Sequence, residues 1–393
     1  MREGKLPGGV VALGLVSLCM DTSSELIHSL LPLLLVSGLG ASPLTLGIIE
    51  GLAEAAANIT KVFSGVISDR MGRRRPLVLA GYGLAAASKP LFPLAGSVVT
   101  VFFARVVDRI GKGIRGAPRD ALIADITPPA LRGAAYGLRQ SLDTVGAILG
   151  PVLAMVLMLA SGNDVRLVLW VAVVPALLSV VVIVCFVHEA EPRARPATAA
   201  VPPRWHALRQ LKRAYWHGVA FAVLLTLARF SEAFILLRAA DILHNAALVP
   251  LALVIMNLAY ALSAYPIGAL SDRLGRQPLL LGGIALLIAA DLCLAAADSA
   301  ALIAVGATLW GLHMGATQGL LAALVADAAP ESLRGSAFGL FNFAVGIAML
   351  LASSIAGLLW SAAGPAATFG ASAAFAAIAL LVLGRLRAVG QGS

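Results

Sequence analysis

Charge is what this chain has least of. Only 12% of its 393 residues are Asp, Glu, Lys or Arg, against roughly 25% in a soluble globular domain. That shortage excludes a water-facing surface over most of the molecule. Cysteine is nearly absent: Cys19, Cys185 and Cys293 stand alone in separate apolar runs. They lack the spacing of metal or redox chemistry, so packing is their expected role. No Ser/His/Asp, Cys/His or metal-ligand constellation occurs, which disfavours an enzyme and implies no metal and no cofactor. A nucleotide-binding loop is missing too. The one G-x-G-x-x-G run, Gly111-Lys-Gly-Ile-Arg-Gly116, follows no strand and lies inside an apolar stretch, where glycines serve close helix packing. Any work must therefore draw on an ion gradient. Asn58-Ile-Thr60 has the form of a glycosylation site but is accidental inside an apolar stretch.

What the chain has in abundance is apolar length. Hydrophobic residues make up 60%, divided into twelve stretches that approach or exceed the ~20 residues needed to span a bilayer. The spans are expected near 9–37, 43–69, 76–95, 98–126, 131–160, 165–188, 216–240, 247–271, 277–297, 300–327, 334–361 and 366–386. The first run, from about Val10 to Val36, is too long for a cleavable signal and lacks a small-residue cleavage site, so it is read as the first span. The net charge of +9 suggests nucleic acid until its placement is traced. Most Lys and Arg lie in tails or in loops of one face: Arg2, Lys5, Arg70, Arg73 to Arg75, Arg132, the run from Arg193 to Arg213, Arg273, Arg276, Arg334, Arg385 and Arg387. On the opposite face Arg166 is the clear exception. This bias places the basic loops and both termini in the cytoplasm. The charge orients a multi-pass protein of the plasma (inner) membrane, whose partner is the lipid bilayer and not nucleic acid.

The chain is internally duplicated. Gly65-Val-Ile-Ser-Asp-Arg-Met-Gly-Arg-Arg-Arg75 returns as Gly268-Ala-Leu-Ser-Asp-Arg-Leu-Gly-Arg276. Further on, Leu122-Ile-Ala-Asp-Ile-Thr-Pro-Pro-Ala-Leu-Arg-Gly133 returns as Leu324-Val-Ala-Asp-Ala-Ala-Pro-Glu-Ser-Leu-Arg-Gly335. The second copy is one residue shorter between the two motifs. Residues 189–215 form the one long connection, rich in Pro, Ala and Arg. The expected organisation is a six-helix bundle over 1–188, a cytoplasmic linker over 189–215 and a second six-helix bundle over 216–393. A short basic amphipathic helix is expected on the membrane surface around Trp205 to Trp216. Parallel halves related by an axis along the membrane normal are a known transporter architecture.

On these motifs the chain resembles the major facilitator superfamily over essentially its whole length. Gly65, Asp69, Arg70, Gly72, Arg73 and Arg74 match that family's signature between spans two and three, with a weaker copy between spans eight and nine. The resemblance implies twelve transmembrane helices in two pseudo-symmetric bundles that rock around a central site. It also implies that spans three, six, nine and twelve are peripheral supports. Ionisable residues within spans, which are costly and default candidates for function, concentrate on spans one, two, four, five and seven. That distribution agrees with the family assignment.

Span four is the densest. Arg105, Asp108, Arg109, Lys112, Arg115 and Arg119 recur at three- to four-residue steps, sharing a helix face over roughly 21 Å at about 1.5 Å per residue. Such a stripe either forms salt bridges with neighbouring helices or lines a substrate cavity. Arg105 takes the Arg position of the family's Arg-x-x-Gln-Gly motif, linked there to proton transfer. Asp108 replaces its Gln and Arg109 its Gly, which points to local Asp–Arg pairing. Asp21 and Glu25 form an i,i+4 pair on span one; Glu50, Glu54, Asn58 and Lys61 share a face of span two. These carboxylates either carry protons or neutralise span four, and Asp21 and Glu54 sit deepest. Span five holds Gly137-x8-Gly146-x3-Gly150-Pro151-x2-Ala154, which resembles the motif of the family's proton-coupled exporters with Ala in place of the last Gly. Arg139, Gln140 and Asp143 lie on the same helix.

The second half offers Arg229 and Glu232 as an i,i+3 pair on span seven, Asn257 and Tyr260 on span eight, His313 and Gln318 on span ten, and Asn342 on span eleven. Phe230, Phe234 and Phe341 suit either packing or apolar parts of a substrate. In the family, the motif Asp holds a cytoplasmic gate shut. The resemblance therefore places Gly65, Asp69, Arg70, Gly72, Arg73, Asp272 and Arg273 at that gate, with Arg115 or Arg119 as the span-four partner of Asp69.

The leading expectation is a monomeric secondary transporter that exports a small, anionic or amphiphilic organic molecule in exchange for protons. The alternative is an uptake symporter for an anionic metabolite or metal–chelate. A third class is a transport-dead membrane sensor or scaffold.

Overall fold

The computed structural model describes residues 6–189, 211, 213–328 and 334–390, and everything below concerns those residues. Most of the linker, including the expected surface helix before Tyr215, lies outside them.

Each stretch read as a span is helical. Span one is α1 (Gly8–Pro32), which widens after Pro32 into a π-helical turn at Leu33–Gly38. Proline removes an N–H from the helical ladder, and local re-winding accommodates it. Next come α2 (Pro43–Met71), α3 (Arg75–Ser88) with a 3₁₀ turn at Lys89–Leu91, and α4 (Val98–Ile126). Then α5 (Arg132–Ala160) is followed by α6 (Val165–Val171) and α7 (Val173–Phe186), which together make span six. Span seven is α8 (Arg213–Leu227) and α9 (Ala233–Leu243). The chain continues through α10 (Leu251–Leu274), α11 (Arg276–Ala295), α12 (Ala300–Ala328) and α13 (Arg334–Gly390). The last carries spans eleven and twelve as one bent rod, turning at Gly364, whose φ of 82° is left-handed, just before Pro365.

Seven helical stretches are long and apolar enough to cross a bilayer on their own: Gly8–Gly38, Pro129–Ala160, Val165–Phe186, Ala246–Ser271, Arg276–Ala295, Ala300–Gln318 and Ala337–Gly384. The others fall short for local reasons. Helix α4 is too charged, and α8 and α9 are each too short because span seven is broken at residues 228–232.

Helix ends follow ordinary capping. Ser97 accepts the N–H of Thr100 at the start of α4 and Asp164 that of Leu167 at the start of α6, satisfying first-turn donors. Arg70 and Arg273 sit in the last turns of α2 and α10, where a cation suits the negative helix end. The motif glycine that follows each, Gly72 and Gly275, has φ of 64° and 78°, values costly for other residues.

The residues cluster into two compact units. One comprises residues up to Leu35 and Ala56–Pro202; the other comprises Val36–Ala55 and residues from Pro203. Helix α2 thus contributes its first half to the second unit and its second half to the first. Inside the first unit α1 packs on α5 and α7, and α3 on α4. Inside the second, α8 packs on α13 and α11 on α12. These are the same pairings, span one with five and three with four, so the sequence repeat is also a repeat of packing. Within the second unit the first half of α2 lies tightly on α13: Gly47 faces Ser353, Gly51 faces Leu350, and Gly357 faces Pro43 and Leu44.

Candidate transport site

In the first unit the cationic face of α4 is buried and ion-paired. Arg105, Asp108, Arg109, Arg115 and Arg119 are buried. Lys112 is exposed, so the stripe is interrupted where Gly113 brings α4 against Ala57 and Thr60 of α2. Gly111 likewise seats α4 against Gly81 and Ala85 of α3. Both glycines serve close packing because a Cβ at either would meet neighbouring backbone.

Asp108 has the expected Arg partner on its own helix and a closer Lys partner from another. Its nearest cation is Lys89, 2.8 Å away on the turn after α3, and Arg105 is 4.0 Å away. Lys89 also donates to Ser24 at 2.9 Å. Arg105 meets Nδ1 of His28 at 2.8 Å. Sequence reading locates Lys89 within span three but gives it no role, because that span is a peripheral support in the family, and it passes over His28. A charge on a support helix that is buried to 0% exposure was the available signal, since burying an unpaired ammonium is prohibitive.

A second network surrounds the acids. Asp21 lies 3.6 Å from Arg115, whose guanidinium stacks 4.5 Å over the ring of Tyr82. Arg119 reaches Asp120 at 3.2 Å and Asp143 at 3.9 Å, and donates to Ser17 and Tyr82. Arg139 pairs with Asp143 at 2.8 Å, with Asp120 at 3.7 Å, and donates to Gln140. The glycines of the span-five motif assemble this cluster. Gly146 sits against Leu18, Asp21 and Thr22, and Gly150 against Thr22, Glu25 and Leu26. Asp21 and Asp143 come within electrostatic reach of each other. Lys61 and Lys112 are exposed beside this cluster and within reach of one another.

The basic corner is organised around a residue absent from the expected gate set. Asp69 pairs with Arg74 at 2.7 Å, not with Arg115 or Arg119, which are engaged by Asp21, Asp120 and Asp143. Arg74 is buried, while Arg70 and Arg73 are exposed. It also reaches Ser68 at 2.6 Å and Asp125 at 3.5 Å, and its backbone N–H donates to Glu189 at 2.6 Å. Arg74 thereby ties the C-terminal ends of α2 and α4 to the segment that follows α7. Asp272 has a described backbone within α10, but its side chain lies outside the described set; Arg273 is exposed.

The second unit is built differently. Residues 228–232 leave the helix, so Arg229 and Glu232 are not an i,i+3 pair on a continuous span. The break is held by Ser231: its N–H donates to Ser353, its hydroxyl donates to Glu50 at 3.0 Å, and it accepts the N–H of Ala233. Glu50 is buried there, and Glu54 is half-buried in the same unit. The guanidinium of Arg229 lies within reach of Glu232, Tyr260 and His313. His313 is fully buried and donates through Nδ1 to the Gly283 carbonyl at 2.7 Å, leaving Nε2 without a hydrogen-bond partner. Asn257 is buried and Gln318 half-buried. Asn342 donates to Phe338 of its own helix. Phe230 and Phe234 belong to an aromatic cluster with Trp310, Trp360 and Phe369. Phe341 packs apart from them, near Tyr215.

Duplicated helical bundles with buried ionisable clusters suit a membrane transporter, and the family comparison bears this out. The chain belongs to the Major Facilitator Superfamily, whose model matches residues 13–239 and 222–391. It is 32% identical over 388 residues to an uncharacterized MFS-type transporter of Methanocaldococcus jannaschii, covering 97% of this chain and 96% of that one. It is also 29% identical over 145 residues to the multidrug resistance protein MdtH of Proteus mirabilis, covering 37% of this chain and 35% of that protein. Its fold matches the crystal structure of the nucleoside transporter NupG with a TM-score of 0.79 at 14% identity, over 95% of this chain and 98% of the other.

Proposed function

We propose that the protein exports a small amphiphilic or anionic organic molecule in exchange for protons. One observation carries this reading. The span-five glycines hold Asp21 and Asp143 in a half-buried cluster with Arg115, Arg119 and Arg139. Two carboxylates served by movable cations can exchange protons as those ion pairs re-form, which is the chemistry an antiporter requires. Glu25 stands beside Gly150 and extends the cluster along α1. The exposed cations Lys61 and Lys112 suit an acidic group on the cargo, and the partial likeness to a multidrug resistance protein favours export. The same exposed cations support a second reading, uptake of an anion with protons.

Inside-out vesicles carrying an imposed pH gradient separate the two. Export predicts that candidate amphiphiles enter as protons leave, and that Asp143→Asn abolishes the exchange while the protein still reaches the membrane. A substrate that never moves against the proton gradient in this orientation sinks the export reading. Accumulation only in right-side-out vesicles favours uptake.

A further inference from the structure

One acid of the second unit lies outside every cluster described so far. Asp291, on α11, is fully buried. Its Oδ2 lies 2.6 Å from the hydroxyl of Ser372 on α13. The same hydroxyl is also in hydrogen-bond contact with the carbonyl of Ala228, the residue at which span seven leaves the helix. In an unbroken helix that carbonyl would accept the N–H of residue 232; here Ser372 takes its place.

The hydrogens at this junction can be counted. A carbonyl only accepts, an ionised carboxylate only accepts, and a serine hydroxyl has one hydrogen to give. Two acceptors on one hydroxyl leave one contact without a hydrogen, setting lone pairs against each other in a dry site. The count closes if Asp291 carries a proton and donates it to Ser372, which donates in turn to Ala228. We propose that Asp291 is a proton-binding site of the second unit, and that its proton fastens the break in span seven through Ser372. If the proton leaves, the serine hydrogen is drawn to the carboxylate and the Ala228 carbonyl loses its partner beside Arg229.

Among the described residues no cation pairs with Asp291. On α12, which packs on α11, His313 is committed to Gly283, two turns back along α11. Arg238 of α9 donates to the carbonyls of Leu294 and Ala297 beyond Asp291. Arg229 lies within electrostatic reach of Glu232, Tyr260 and His313. Tyr260 lies on α10, and α13 has no ionisable residue between Ala337 and Gly384. Oδ1 of Asp291 has no hydrogen-bond partner among the described residues. This site goes beyond the first-unit cluster and does not depend on Asp21 or Asp143 being the coupling acids.

Infrared spectroscopy of the purified full-length protein at neutral pH tests the proton. The carbonyl stretch of a protonated carboxylic acid should be present in the native protein and in Asp143→Asn, and lost in Asp291→Asn. Superimposable native and Asp291→Asn spectra in that region overturn the proposal. Ser372→Ala keeps the acid in place but removes its acceptor, so the band should move to higher frequency; a band that stays put also overturns it. This second variant serves even if Asp291→Asn fails to fold. For the fastening, hydrogen exchange across residues 229–236 should quicken in Ser372→Ala and stay near native in Asp291→Asn, whose amide can still donate. Native-like exchange in Ser372→Ala removes the link to the break.

Discussion

The two units share a pattern of helix packing and differ in how they keep polar groups inside it. The first answers charge with charge: Lys89 with Asp108, Arg115 with Asp21, Arg139 with Asp143 and Arg74 with Asp69. The second leans on backbone carbonyls: Gly283 for His313, Leu294 and Ala297 for Arg238, Phe338 for Asn342, Ala337 for Tyr215 and Ala228 for Ser372. Ion pairs can re-form between alternative partners, whereas a carbonyl acceptor is fixed to its helix. Duplication therefore supplied one frame, and the two copies fill it with different polar contacts, ion pairs in the first and backbone carbonyls in the second.

The largest expected effect tests the ion pairing at its most buried point. Lys89→Met strands Asp108 in a dry site, and breaking a buried pair from one side costs about 3–5 kcal/mol. Lys89→Met combined with Asp108→Leu should recover part of the loss, because the buried carboxylate is gone and what remains is an Arg105 without its 4.0 Å contact to Asp108. Thermal denaturation of the purified variants measures both, and an unchanged midpoint for Lys89→Met would refute the dependence on ion pairing.

Packing comes next. Gly150→Ala forces a Cβ against the backbone of Thr22 and Leu26, an overpacking worth about 1–3 kcal/mol. Gly370→Ala in α13, with open space around it, should instead be neutral or gain up to about 1 kcal/mol from helix propensity. Equal loss of stability in the two would erase the distinction.

In transport, Asp143→Asn should lower coupled proton flux by about tenfold or more, equivalent to at least ~1.4 kcal/mol in the barrier. Asn342→Leu, which removes only a contact to its own helix, should change flux by less than about twofold, well under that barrier difference. Paired flux assays in proteoliposomes decide this.

The last comparison is between the two basic corners, where the second copy should show the smallest change of all. Arg74→Ala removes contacts to Asp69, Ser68 and Asp125 and should destabilise by about 1–3 kcal/mol. Arg273→Ala in the exposed second copy should stay within about 0.5 kcal/mol. Melting curves showing equal losses would make the two corners equivalent after all.

The helices and the duplication could be read from hydropathy and repeated motifs, because those properties act along the chain. Partner identity could not. Periodicity places Asp108 on a face of α4, but only the packing of α3 brings Lys89 to it. Asp69 was assigned a span-four arginine by family pattern; Arg74, five residues on, reaches it first because the left-handed turn at Gly72 folds the loop back. The break at residues 228–232 contains neither Gly nor Pro and is held by Ser231, Ser353 and Ser372, contacts invisible in one dimension. Lys112 shows the converse: it has the right period for the buried stripe, yet it is exposed where Gly113 draws α2 close.

The divided membership of α2 has a consequence for synthesis. Residues 43–55 leave the ribosome long before their neighbours Ser231, Leu350, Ser353 and Ser361. Glu50 and the small face of Gly47 and Gly51 must therefore wait in the nascent protein until α13 arrives. The docking surface of this early helix is thus made late: its native contacts can close only after span eleven has been synthesised.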